Sequence, residues 1–168
     1  MPPIPYNPDR STRLAGIKDV VHEYANLISA GHHSLIPRSG HLWGGHCDDA
    51  FLLGCRKMDD FLMKKQRSLN YDETKELDDI LALDYLPPGS SITWSLPIWA
   101  KEWRSPMNKQ LAHLSYKRDK SWDHTIWLPI LVPEFKTAWN AFQAAITDQE
   151  FREAFADSIR AKQHHFIS

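Results

Sequence analysis

The sequence is poor in cysteine and contains no long apolar run. Its two cysteines, Cys47 and Cys55, share a predicted helix from about residue 48, and their separation along that helix is about 12 Å. This distance is too large for a disulfide, so we expect free thiols in a reducing compartment. No apolar run approaches the ~18 residues of a membrane span, and residues 1–10 do not resemble a signal peptide. We therefore expect a cytoplasmic protein that does not associate with membranes.

Net charge and nucleotide-binding signatures are also lacking. A formal charge of -1 argues against a surface that coats nucleic acid as a whole, although it allows a local basic patch. The chain has no Walker loop, no GxGxxG, no HExxH and no CxxC. Dinucleotide binding, P-loop hydrolysis and the common zinc protease and zinc finger patterns are therefore excluded at the level of motifs. No metal or other cofactor is expected.

The apolar residues that are present suffice for one ordinary core. The chain has 168 residues, of which 42% are hydrophobic, and its 7 tryptophans predict large aromatic anchors in that core. We expect a proline-rich N-terminal tail over residues 1–10, extended on the surface or disordered, and a single helical-bundle domain over residues 11–168.

Helical periodicity dominates the remainder of the chain. A first helix is expected after a cap at Asp9 or Ser11, with Gly31 as its end and a loop over residues 32–46. A second helix is expected from Asp48 or Asp49. The predicted buried positions of these two helices are Leu14, Ile17, Val20, Val21, Tyr24, Leu27, Ile28, Phe51, Leu52, Cys55, Met58, Phe61 and Leu62.

The second half of the chain predicts further helices. A short one is expected over Leu96–Arg104, a longer one over residues 105–118, and another opening at Pro133. Thr147 and Glu150 form a capping-box pattern that predicts a last helix. Short turns are expected over residues 78–86. The predicted fold class is all-α: an antiparallel bundle of four to five long helices with short accessory helices.

The helix expected over residues 105–118 (SPMNKQLAHLSYKR) lies in a locally basic segment. Lys101 to Lys120 holds six Lys or Arg residues against two acidic ones, and His113 lies among them. Metal-independent RNA cleavage needs a proton carrier near neutral pH, which histidine provides, and donors for the phosphate charge, which Arg, Lys and Asn provide. A solvated basic face with a structural histidine is the alternative interpretation.

Asn108-Lys109-Gln110-Leu111-Ala112-His113, together with the preceding Phe51–Leu62 stretch, resembles the signature of the HEPN superfamily. The resemblance covers roughly residues 45–120. It implies a helical bundle that dimerises around the motif. It also implies a metal-independent RNase or an inactive binding module of a bacterial toxin–antitoxin or abortive-infection system, with RNA, a cognate antitoxin or another protein as partner.

The sequence departs from the HEPN pattern at one position. Met107 stands where active members carry Arg, and a thioether cannot make the bidentate phosphate contact of a guanidinium. The resemblance therefore assigns His113 to acid–base catalysis and Asn108 to phosphate contact, and Arg104, one turn earlier, is the candidate replacement for the Arg. The expected RNA-binding residues around them are Lys109, Tyr116, Lys117 and Arg118. A catalytically inactive helical interaction module is the alternative function.

Two further clusters have weaker functional interpretations. His32, His33, His41, His46 and Cys47 offer zinc-ligand types, but their spacing matches no compact zinc pattern, which favours ordinary polar histidines in a loop. An acidic run, Asp72, Glu73, Glu76, Asp78, Asp79 and Asp84, can coordinate a cation or pair with a basic helix of a partner. A solvated face with carboxylates at helix starts is its simpler interpretation.

Overall fold

The computed structural model describes residues 2–35, 41–96 and 124–163, and within them the chain is all-α. Four helices pack together: α1 (Arg10–Leu35), α2 (His41–Met63), α3 (His124–Ala145) and α4 (Gln149–Ala161), with a short 3-10 helix at Ala82–Tyr85. No strand forms in this part of the chain beyond two isolated bridges. The all-α class predicted from the sequence is confirmed for these residues.

Helix α1 is the centre of the packing, since it contacts each of the other three helices. It begins after Asp9, whose Oδ1 accepts a hydrogen bond from the Thr12 amide at 2.7 Å, so Asp9 is the cap and Ser11 is not. The residues predicted to line its buried face are buried, apart from the partly exposed Leu14. The apolar period of α1 therefore predicted its core face correctly.

Helices α1 and α2 run antiparallel, and glycine allows them to approach closely. Along the interface, Leu27 faces Gly54, and Phe51 lies beside Gly31 nearer the end of α1. A Cβ on Gly54 would lie 3.0 Å from the Leu27 Cβ, and one on Gly31 would lie 2.5 Å from Val132 Cγ2. These distances leave no room for a methyl group at Gly31, so the glycine serves packing among α1, α2 and α3.

The predicted end of α1 and the predicted loop after it are wrong. Gly31 lies inside α1, which continues to Leu35, and α2 begins at His41, ahead of Asp48. Residues 32–35 and 41–46 are therefore helical, and 36–40 lie outside the described residues. The physical reason is that a helix interior tolerates glycine at a cost of only about 1 kcal/mol, which is small against the burial gained by close packing.

Helix α3 also begins earlier than predicted. It starts at His124 and contains both Pro129 and Pro133, although Pro133 was the predicted start. Proline removes a helical hydrogen bond, but both prolines lie on the exposed side, while the helix buries an apolar face over Leu131 and Phe135. Burial of that face maintains the helix through the prolines.

The cap of α4 is Asp148, one residue after the predicted Thr147. Asp148 Oδ1 accepts from the amides of Glu150 and Phe151 at 3.1 and 3.2 Å. The same carboxylate binds the Arg10 guanidinium through two hydrogen bonds of 2.9 Å, which joins the starts of α1 and α4. The helix predicted here is confirmed, but its N-cap was predicted one residue too early. Aspartate is favoured at the N-cap at least as strongly as threonine, so the sequence Thr147-Asp148 offers two candidates for that position.

An aromatic cluster fills the space between the helices. Tyr24 of α1 stacks on Trp139 of α3 with ring centroids 4.2 Å apart. Phe142 packs edge-on against Phe61 of α2 and Phe155 of α4. Trp94 is buried against the same ring. Edge-to-face and offset contacts of this kind stabilise a core beyond simple burial. None of the described helices is both long and apolar enough to span a membrane.

Candidate functional site

The residues that the sequence nominates for RNA binding and cleavage fall within residues 97–123, outside the described part of the chain. They are Arg104, Asn108, Lys109, His113, Tyr116, Lys117 and Arg118, and Met107 lies there too. The expected short helix over Leu96–Arg104, apart from Leu96, and the expected helix over residues 105–118 lie outside it as well. Their roles therefore remain predictions.

The other half of the HEPN resemblance, Phe51–Leu62, is part of one continuous helix, α2. Its inner face is buried, and it includes one charged side chain, Asp59, which is only 4% exposed. Burial and then the nearby Asp59 carboxylate raise the pKa of the Cys55 thiol well above its ordinary value. Cys55 is therefore a protonated core residue. The prediction that Cys47 and Cys55 share one helix is confirmed.

The histidine cluster does not occupy a loop, as predicted. His32 and His33 belong to the last turn of α1, whereas His41, His46 and Cys47 belong to the first two turns of α2. Burial, then the charge of Lys136 and of His33, lowers the pKa of His32. Among the side chains that the structure describes, no three His, Cys, Asp or Glu residues converge as metal ligands would.

The acidic run is divided between ion pairs and solvent. Asp84 binds the Arg67 guanidinium at 2.5 Å, with both side chains 11% exposed, and its other oxygen accepts from the Leu81 amide at the start of the 3-10 helix. Asp79 accepts from Lys64 and from the Ser68 amide. Partial burial raises the pKa of Asp79, but those hydrogen bonds and the Lys64 charge outweigh it and leave this pKa below its ordinary value.

A cavity of about 280 Å³ opens beside this network. Its walls come from α1, from residues 78–85 and from the proline-rich segment at Tyr6 and Pro8. Arg13 donates from Nη1 to the Asp84 carbonyl at 3.0 Å, and the Tyr85 hydroxyl donates to the Arg13 carbonyl at 3.1 Å. Burial, then the Asp84 charge, raises the pKa of Tyr85, so its hydroxyl remains a donor at neutral pH.

The α1 side of this cavity carries no motif that marks it in the sequence. Arg13, Gly16 and Asp19 follow one another at three-residue intervals, and this spacing placed them on one flank of the predicted helix. Gly16 has the Ile80 side chain 3.0 Å from the position of an added Cβ, so the flank packs closely on residues 78–85. The spacing was the available signal, but it is indistinguishable from that of an ordinary polar helix face.

A second groove of about 470 Å³ separates α1 from α4. Its lining includes the cationic Lys18 and the imidazole of His22 from α1, the acidic Asp157 from α4, and Lys162 just beyond α4. His22 Nε2 lies 3.0 Å from the Asn26 amide nitrogen, which orients the imidazole along α1. Mixed charge over an open groove favours polar surface contacts and does not define a catalytic constellation.

The described residues thus define an all-α protein of four packed helices. Comparison of the chain with protein families, with curated proteins and with solved structures gave no match.

Proposed function

We propose that this is a HEPN-like protein that binds or cleaves RNA without a metal ion, within a bacterial toxin–antitoxin or abortive-infection module. The observation that carries the proposal is the Asn108–His113 spacing inside the basic segment. On this proposal the finer architecture is a HEPN-like antiparallel bundle that forms a homodimer around the segment. Its other partner is a cognate antitoxin or another protein.

The distribution of charge supports an RNA-facing role for residues 101–120. This segment holds six of the 20 Lys and Arg residues but only two of the 21 Asp and Glu residues. The remainder of the chain is correspondingly acidic. A polyanion is attracted to the basic segment and repelled elsewhere, which orients its approach. The continuous helix α2 also supports the proposal, because the second part of the resemblance, Phe51–Leu62, belongs to it.

The proposed chemistry assigns one task to each residue type. Cleavage through the ribose forms a bond from the 2′-oxygen to phosphorus and breaks the bond to the 5′-oxygen. A proton must leave the 2′-hydroxyl, and another must reach the departing 5′-oxygen. His113 carries a proton in this scheme, since imidazole titrates near neutral pH. Asn108 and Arg104 stabilise the charge that develops on the phosphate.

The enzymatic form of the proposal is tested by incubating the purified protein with total RNA beside the His113→Ala variant. Loss of the proton carrier is expected to slow cleavage by about 10²-fold or more. Lys57→Gln, at a surface ion pair on α2, is the matched control and should cleave like the unaltered chain. Equal cleavage by the unaltered chain and the His113 variant, or cleavage by neither, would refute the enzymatic claim.

A catalytically inactive interaction module is the second candidate, and Met107 favours it. An apolar thioether at this position extends the apolar stripe formed with Leu111 and Leu114, which serves packing better than phosphate binding. Met107→Arg separates the candidates. A gain of RNA cleavage would indicate a scaffold that lacks only the guanidinium, whereas a loss of stability without cleavage would indicate that the position is part of a core.

A further inference from the structure

The cavity between α1 and residues 78–85 is lined by two carboxylates that have no partner in the described chain. Asp19 belongs to α1, and Asp78 belongs to the stretch that precedes the 3-10 helix. No hydrogen bond or ion pair joins either carboxylate to another of the described residues. The other two aspartates of the lining already form ion pairs with basic side chains. The cavity therefore carries two negative charges that the described residues leave unpaired.

A buried hydroxyl adds an acceptor to the same cavity. Tyr85 lines the cavity and is only 1% exposed, and its hydroxyl donates its single proton to the Arg13 carbonyl. The Tyr85 oxygen can therefore only accept a further hydrogen bond. Gly16 leaves space beside this oxygen, because a Cβ at that position would lie 3.2 Å from it. After burial, the charges that act on the pKa of Tyr85 are those of Asp84, Arg13 and Asp19, so the Asp19 carboxylate lies close enough for its charge to act at this hydroxyl.

The remaining walls of the cavity suit an alkyl chain. Ala15 and Ile80 supply apolar surface, and Pro8 contributes the wall formed by residues 2–9. This segment is fixed to its own chain through the backbone pairing of Ile4 and through the Asp9 cap of α1. A volume of about 280 Å³ holds about nine water molecules at roughly 30 Å³ each, which is room for a diamine of about six to nine non-hydrogen atoms.

The cationic side chain in the lining is already engaged. Arg13 donates to the Asp84 carbonyl, and its guanidinium carbon lies 5.7 Å from the centre of the Phe151 ring. An anion in the cavity would be repelled by the unpaired Asp19 and Asp78, whereas a cation would be attracted to both. The charge of the cavity therefore selects a positively charged ligand.

We propose that this cavity binds a small free alkylamine, a diamine whose ammonium groups pair with Asp19 and Asp78. The alkyl chain packs on Ile80, and the Tyr85 oxygen accepts a hydrogen bond from an ammonium group. The ligand is a free amine because walls from three segments of the chain leave little room for a peptide backbone. This site uses none of residues 97–123, so it is independent of the proposed RNA chemistry.

The site is tested by isothermal titration calorimetry with putrescine at low ionic strength. The unaltered chain is expected to show saturable binding, and Asp19→Asn or Asp78→Asn should weaken it roughly tenfold. Both variants should keep the fold, since neither carboxylate has a partner among the described residues. Glu153→Gln, which removes a negative charge from the exposed side of α4, is the matched control and should bind like the unaltered chain. Equal affinity in all four proteins, or no saturable binding, would overturn the site.

Two further titrations test the class of ligand. The diol of equal length, which carries a hydroxyl in place of each ammonium, should not bind, and binding as tight as that of putrescine would overturn cation recognition. N-acetyl-lysine methylamide presents an ammonium on a peptide unit and should bind more weakly than putrescine. Tighter binding of this lysine derivative would overturn the assignment to a free amine and indicate the side chain of a protein partner.

Discussion

Gly31→Ala tests directly whether α1, α2 and α3 pack as closely as described. The added Cβ would lie 2.5 Å from Val132 Cγ2 and 3.1 Å from Phe51 Cε2, well inside the 3.5–4.0 Å of a relaxed carbon contact. Val132 cannot rotate away easily, because a β-branched residue in a helix has one strongly preferred rotamer. Helix α3 must therefore shift away from α1, or the side chain must adopt a strained rotamer.

The expected magnitude follows from two opposing terms. Alanine gains about 1 kcal/mol over glycine in a helix interior, whereas overpacking a core costs about 1–3 kcal/mol. Since the closest approach is to a stiff side chain, we expect the upper part of that range and a net destabilisation of about 1–2 kcal/mol. For a chain of this length, that corresponds to a fall in Tm of roughly 2–8 °C.

Urea unfolding followed by circular dichroism and by tryptophan fluorescence measures the free energy of unfolding of this variant. Ala30→Gly, at the preceding position, is the control, because it reports helix propensity in α1 and should cost about 1 kcal/mol. If α1 and α3 did not approach closely at Gly31, the higher helix propensity of alanine would make the substitution neutral or stabilising. A free energy of unfolding equal to or above that of the unaltered chain would therefore refute the close packing at Gly31.

Two electrostatic contacts give further predictions. A double-mutant cycle with Arg67→Met and Asp84→Asn, measured by urea unfolding, should yield a coupling free energy of about 1–3 kcal/mol, because both side chains are largely buried. Additive effects of the two substitutions would contradict this pairing. The hydrogen bond from Arg10 is the largest cause that lowers the pKa of Asp148 below its ordinary value of 3.8. The ionised Asp148 therefore stabilises the folded state fully above pH 3.8, and this stabilisation is lost as the pH falls through the folded-state pKa. Asp148→Asn should therefore flatten the pH dependence of stability below about pH 4 in an acid titration followed by circular dichroism, and an unchanged acid transition would contradict this linkage.

The sequence predicted the buried faces of the helices better than their ends. The apolar spacing of Ile17, Val21 and Ile28 located the inner face of α1, because burial imposes the helical period on the sequence. The ends were missed where tertiary packing outweighed local signals. Gly31 is typical of a helix stop, but it lies at a crossing, and Pro133 is typical of a start, but it lies on the exposed side of a helix whose other face is buried.

The contacts around the cavity were beyond the reach of local patterns. The acidic run was predicted to be a solvated face with carboxylates at helix starts. Asp84 does accept from the Leu81 amide at the start of the 3-10 helix, but its side chain is only 11% exposed and not solvated. Its ion pair with Arg67 joins two side chains that are 17 residues apart in the sequence and do not belong to one helix. The docking of Ile4 on residues 74–76 was unforeseen for the same reason. Periodicity reports burial along one element and carries no information on such long-range pairs.

The most direct test of the proposed function is the salt dependence of binding to a single-stranded RNA. If residues 101–120 contact phosphates, the logarithm of the association constant should fall linearly with the logarithm of salt concentration. The double variant Lys117→Gln, Arg118→Gln should then flatten that slope by about 0.7 for each phosphate that it no longer neutralises. Lys57→Gln on α2 should leave the slope unchanged. Absence of RNA binding, or a slope that is equally steep in the double variant, would contradict an RNA-facing role for this segment.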